Sequence, residues 1–161
     1  MTSLATFAAG CFWHVQYIFN ALPGVVSTRA GYTGGTLENP TYENVCRGNT
    51  GHAEAVEVVF DPEHISYSEL VDAFWKLHDP TQVNRQGPDV GSQYRSVIFF
   101  HNEDQKQVAE SSRHTLEHTH LFQNPIATEI VPAKTFYPAE EYHQNYVEKH
   151  GGIDICPAPR H

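Results

Sequence analysis

Leu4-Ala5-Thr6-Phe7-Ala8-Ala9-Gly10-Cys11-Phe12-Trp13-His14-Val15-Gln16-Tyr17-Ile18-Phe19-Asn20-Ala21-Leu22-Pro23-Gly24 is the stretch that decides how the chain folds. Leu4 to Ala8 is a short apolar run, the pattern of a buried strand. Gly10-Cys11 then opens a new element. Phe12, Val15, Phe19 and Leu22 recur at helical spacing with Ile18 beside them, and Pro23-Gly24 stops the helix. A buried strand running straight into an amphipathic helix points to an α/β arrangement, with a cysteine at the joint.

The same reading extends outward. Val25 to Tyr32 reads as a strand closed by Gly34-Gly35, and Ala53 to Phe60 as a strand ending at the Asp61-Pro62 turn. Ser66-Tyr67-Ser68-Glu69 is a capping box, with Ile65 and Leu70 as its hydrophobic staple. The helix it starts runs through Leu70, Val71, Phe74 and Leu77 to Asp79-Pro80. Thr81 to Gly91 is too polar and Gly/Pro-rich for either period and reads as loop. Tyr94 to His101 is a strand, Asn102 caps a helix to about Thr119, and Ala127 to Ala133 is a further strand. Pro138 through His150 reads as a helix with acidic residues near its start. The expected fold is α/β in the two-layer α+β sense: a mixed sheet with packed helices around a split β-α-β, ferredoxin-like core. One domain is expected over 1–161, with 151–161 as an irregular, flexible tail.

Composition bounds the function. At 161 residues and 18.1 kDa, the chain can bury about two thirds of its unfolded surface without a disulfide or metal staple. The net charge of −9 repels phosphate backbones, and Lys and Arg are scattered singly, so nucleic acid is not an expected partner. No apolar run approaches the ~18 residues of a spanning helix, so no membrane association is expected. Phe7-Ala8-Ala9-Gly10-Cys11 looks like a lipoprotein processing site. However, the first cationic side chain is Arg29 and only ten residues precede Cys11, so lipidation is not expected. Three cysteines without a C-x-x-C spacing make no disulfide framework and fit a reducing, cytoplasmic setting.

Gly10-Cys11-Phe12-Trp13 carries the chemistry. A thiol opening a helix is biased toward thiolate. Gly10 allows a sharp turn that leaves the sulfur accessible, and two aromatic walls suit a small apolar substrate group. The same four residues also fit a buried structural cysteine beside core aromatics. Glu54 sits in the apolar strand Ala53-Glu54-Ala55-Val56, where burial would raise its pKa and let it donate a proton near neutrality. A carboxylate on a wet strand face fits that spacing too.

G-C-F-W near the N-terminus resembles the signature of the peptide methionine sulfoxide reductase A family. Further segments resemble that family in order: Val26-Ser27-Thr28, Gly31-Tyr32-Thr33-Gly34-Gly35, Asn39-Pro40-Thr41-Tyr42, Thr50-Gly51-His52-Ala53-Glu54, His78-Asp79-Pro80-Thr81-Gln82, Asn84-Arg85-Gln86-Gly87 and Gln93-Tyr94-Arg95-Ser96. The resemblance covers about Phe7 to Tyr146. It implies reduction of the S epimer of methionine sulfoxide, free or in proteins. Cys11 would be the nucleophile, Glu54 the acid, and Tyr42 and Tyr94 hydroxyl donors to the sulfoxide oxygen. Phe12 and Trp13 would form the methyl pocket, Asp89 would position the site and hold the substrate amide, and His143 would be a further pocket residue. It implies no bound cofactor, with reducing equivalents from thioredoxin, or dithiothreitol in vitro. A monomer is expected. Many family members carry a resolving cysteine in the tail, which assigns that role to Cys156, although the frequent Gly-Tyr-Cys tail motif is absent. Cys46 is expected to be a small buried bystander. His14 and Gln16 also depart from the family pattern, which often has a small residue and a Glu there.

Two rival readings stand beside this one. His114 and His118 at i, i+4, with Glu117 and His120 near, have a spacing that can chelate zinc or nickel. A thiol peroxidase would share the nucleophile without requiring Glu54 beside an aromatic pocket.

Overall fold

The computed structural model describes residues 1–151. In chain order it contains β1 (Ser3–Ala9), α1 (Phe12–Asn20), β2 (Val25–Thr33), α2 (Tyr42–Cys46), β3 (Ala53–Phe60), α3 (Tyr67–Leu77), β4 (Arg85–Gln86), β5 (Asp89–Val90), β6 (Ser96–Phe100), α4 (Glu103–His118), β7 (Glu129–Pro132), β8 (Tyr137–Pro138) and α5 (Tyr146–Lys149).

Six strands form one sheet in the order β7-β6-β1-β3-β2-β8. Only β6 and β7 pair in parallel; the other neighbours are antiparallel. β1 and β2 therefore run the same way on either side of β3, joined by α1. β3 and β6 run the same way on either side of β1, joined by α3. These two interleaved split β-α-β units are the expected ferredoxin-like core, and they bring the end of β1 and the starts of β3 and β6 to one edge of the sheet.

The period of two along the strands sorts side chains between two buried layers. Phe7, Val56, Val58, Tyr32 and Ile98 face the helices, where they meet Phe12, Val15, Phe19, Leu70 and Phe74. Phe7 sits at the centre, its ring centroid 5.0 Å from Phe19 and 5.4 Å from Phe74. Each such side chain contributes about 1.5–3 kcal/mol by leaving water. The other face is covered too: Ala8, Ala53, Ala55, Val97 and Phe99 pack against Val131, Ala133 and Phe136. With both faces covered, Glu54 has no wet face, and its place in the alternation aims it at the helix layer with Val56 and Val58.

Local signals explain the helix starts. The Ser66 hydroxyl accepts from the Glu69 amide at 3.0 Å while the Glu69 carboxylate accepts from the Ser66 amide at 3.2 Å. The Asn102 side chain accepts from the Gln105 amide at 2.9 Å. α2, which the periodicity does not reveal, is held by a reciprocal pair between Thr41 and Asn44.

Three expectations are corrected. The stretch 81–91 is not plain loop: β4 and β5 make a hairpin in it, fastened by Gln86, whose amide pairs with both backbone groups of Asp79. Tyr94 lies in a single 3-10 turn, Ser92–Tyr94, and the strand starts at Ser96. The continuous helix over 138–150 is absent. β8 pairs with β2, a 3-10 turn covers Glu141–His143, and the left-handed Asn145 (φ 54°) breaks the path before the short α5. Side-chain hydrogen bonds drive that break: Gln144 pairs with the amide and carbonyl of Ala30, at 2.9 Å each, and the Asn145 amide donates to Gln16 at 2.8 Å. The proposed tail beyond Gly151 lies outside the described residues. No helix among the described residues is long and apolar enough to cross a membrane.

Candidate active site

Cys11 occupies the N-cap of α1 and is partly buried. Gly10 before it has φ +92°, a conformation that L side chains rarely adopt. A Cβ at Gly10 would also lie 2.8 Å from Cβ and Cγ of Gln86. The glycine is thus required twice, by the turn and by the approach of the β4 strand. Directly after the thiol, the Phe12 amide donates to Oε1 of Glu54 at 3.2 Å. Glu54 is 2% exposed. That bond ties a buried carboxyl group to the residue that follows the thiol.

The aromatic wall is built from α1 and the chain after β8. Phe12 is buried against Tyr32 (5.7 Å between centroids) and His143 (5.1 Å). Trp13 donates its indole N–H to Nδ1 of His143 at 2.9 Å and stacks on Tyr146 at 3.8 Å. Because Nδ1 accepts, the neutral His143 ring carries its proton on Nε2. Burial pushes the His143 imidazole below its usual value, although the Glu140 carboxylate pulls the other way.

Tyr42, at the start of α2, places its ring 4.4 Å from His143. Desolvation pushes its hydroxyl well above the usual tyrosine range, with Cys46, Glu54 and Cys11 adding to the rise. Tyr94 shifts the same way, from burial first and then from Glu54, Tyr42 and Asp89. Both phenols therefore stay protonated near neutrality and can donate. Burial also raises Asp89, on β5. Cys11, Phe12, Trp13, Tyr42, Glu54, Asp89, Tyr94 and His143 are thus brought to one end of the sheet.

Other expectations fare differently. Cys156 lies outside the described residues. Cys46 is exposed at the end of α2, not buried, because α2 turns its Val45 inward instead. His114 and His118 stand 4.2 Å apart on α4, and no group of three or more metal-binding side chains occurs among the described residues. A groove between α3 and α4, lined by Asp72, Trp75, Leu116 and Phe122, shares none of the site residues. Glu140 was missed. Its acidic position reads as helix-start chemistry, whereas its carboxylate accepts from the Tyr32 hydroxyl at 2.8 Å and the Tyr42 amide at 2.9 Å.

A thiol close to a buried carboxyl group and two protonated phenols can take an oxygen onto sulfur as a sulfenic acid, which a second thiol would release as water, and this is the chemistry of a thiol-dependent oxidoreductase. The family model described as peptide methionine sulfoxide reductase matches residues 3–160. The chain belongs to that family. It is 62% identical over 147 residues to the peptide methionine sulfoxide reductase MsrA of Methanosarcina acetivorans, covering 91% of this chain and 78% of that protein. Its fold is similar to reduced Mxr1 from Saccharomyces cerevisiae, with TM-score 0.88 and 37% identity over 97% of this chain and 90% of that one. It is also similar to Mxr1 in complex with Trx2, with TM-score 0.62 and 27% identity, covering 90% and 84%.

Proposed function

We propose that this methionine sulfoxide reductase acts on the S epimer, free or in proteins, by a sulfenic acid route. The observation that carries the reading is the buried Glu54 carboxyl group hydrogen-bonded to the amide that follows Cys11. The Cys11 thiolate, favoured by its place at the positive end of α1, attacks the sulfoxide sulfur. Glu54 supplies a proton to the departing oxygen, while Tyr42 and Tyr94 donate hydrogen bonds to it as charge develops. Phe12, Trp13 and His143 receive the S-methyl group, and Asp89 holds the substrate amide. The sulfur–sulfur bond made by that attack then breaks as the oxygen, now protonated, moves to the Cys11 sulfur: methionine leaves and Cys11 becomes a sulfenic acid. The Cys156 thiol then condenses with it, releasing water and forming a Cys11–Cys156 disulfide.

A dithiol reductant exchanges with that disulfide and restores both thiols. The Mxr1–Trx2 complex supports thioredoxin as that reductant. The cycle runs on thiols alone and needs no bound cofactor. A monomer in the cytoplasm, where thiols are kept reduced, suits it.

Thiol mapping by mass spectrometry after one turnover without reductant tests the route. A Cys11–Cys156 disulfide is expected. Cys156→Ser should release one methionine per enzyme and then stop with thioredoxin as reductant. A Cys11→Ser variant that keeps wild-type turnover would overturn the mechanism.

A further inference from the structure

Glu140 directly precedes the segment that carries His143, and it joins three segments at the site. Its Oε1 accepts from the hydroxyl of Tyr32, a fully buried strand residue whose ring lies against Phe12. Its Oε2 accepts from the backbone amide of Tyr42. The next residues in the chain, Glu141–His143, form the 3-10 turn that delivers His143 to the Tyr42 ring. We propose that Glu140 is a positioning residue for Tyr42: its carboxylate pins the first residue of α2 to β2 and to the His143 turn, and so aims the Tyr42 hydroxyl at the sulfoxide oxygen. This rests on the reading of Tyr42 as an oxygen donor.

Two donors converge on the two oxygens of Glu140. An alanine there loses both bonds, whereas a glutamine could keep both by turning its N–H toward the Tyr32 oxygen, which accepts as well as donates. α2 has five residues, and its start is held by the Thr41–Asn44 pair and by Glu140. Losing the Glu140 bond leaves the start of α2 to the Thr41–Asn44 pair and to the hydrogen bond between the Tyr42 hydroxyl and Cys46. A shift of about 1 Å in a group that must meet a developing charge can cost on the order of a hundredfold in rate. Although burial opposes its charge, the Tyr42 amide and the Tyr32 hydroxyl hold the Glu140 carboxyl below its usual value, so it is an anion at neutral pH.

A double-mutant cycle tests this, with Tyr42→Phe, Glu140→Ala and the pair, assayed on a peptide methionine sulfoxide with dithiothreitol so that recycling by a protein partner plays no part. Tyr42→Phe is expected to lower kcat/KM by roughly tenfold to a hundredfold. Glu140→Ala is expected to lower it about tenfold in the wild-type background, but less than about twofold when Tyr42 is already Phe. Equal losses in both backgrounds, or no loss in the wild type, would overturn the role of Glu140 and leave the Tyr42 reading standing. An unchanged Tyr42→Phe would overturn that reading and this inference with it. Should Glu140→Ala fail to fold, Tyr32→Phe removes one partner of the carboxylate. Its expected loss of about threefold must also vanish in the Tyr42→Phe background, and a loss that persists there counts against the proposal.

Discussion

Glu54 and Glu140 are both carboxyl groups at the same end of the sheet, and their surroundings divide the work between them. Glu140 receives two donors and is held as an anion, which suits it to bind and not to donate. Glu54, the acid of the proposed mechanism, is shut into the helix-side layer and bonded to the amide that follows Cys11. Replacing Glu54 by Gln should therefore lower kcat by about 10²–10⁴-fold with little change in KM. Steady-state turnover at neutral pH reads this directly, and kcat within about twofold of wild type would mean that the acid lies elsewhere. Glu54 was legible in the sequence because an acidic residue interrupts an apolar strand. Glu140 was not, because a carboxylate near a helix start has an ordinary explanation, and the partners it binds lie about a hundred positions away.

At the level of elements, legibility follows how local the cause is. α1, α3 and α4 are written in neighbouring residues, by apolar spacing and by caps, and so are the long central strands. The chain after β8 is not: its Gln144 and Asn145 give up a helix to hydrogen-bond Ala30 and Gln16. That trade is decided by tertiary contacts. The β4–β5 hairpin was hidden for the same reason, since Gln86 holds it to Asp79. Two substitutions separate local from tertiary effects. Ser66→Ala removes one half of the α3 capping box and should cost about 1 kcal/mol in urea unfolding, with activity unchanged. Gly10→Ala should cost about 1–3 kcal/mol, because the new methyl group meets the Gln86 side chain. It should also lower activity, because the strain falls on the residue before Cys11. Full activity in Gly10→Ala would show that the Cys11 position does not depend on this turn.

Across the molecule, three histidines far apart in sequence share one condition. His14 under α3, His101 at the end of β6 and His143 at the site are all pushed below the usual value of 6.5, in each case chiefly by burial. A folded-state value below the unfolded one means that the unfolded chain binds more protons as pH falls past 6.5. The stability that these groups contribute is therefore complete above about pH 6.5 and is lost as pH falls through their lowered values. Glu140 and Asp61 act in the same direction at lower pH, since both lie below the usual carboxylate range, whereas the raised Asp89 acts against them. The net charge of −9 opposes the histidine effect, because protonating exposed histidines relieves repulsion. At about 0.15 M salt those exposed charges are screened beyond roughly 8 Å, while buried groups are screened much less, so the buried histidines should decide the sign. Urea unfolding at that salt concentration should show the midpoint falling steadily from pH 7 to pH 5 with an unchanged slope against denaturant. His101→Gln should flatten part of that fall, because it keeps a polar group near Thr6 and removes the titration. A midpoint that stays level from pH 7 to pH 5 in the wild type would mean that these three rings gain solvent, or partners, as readily as they gain a proton.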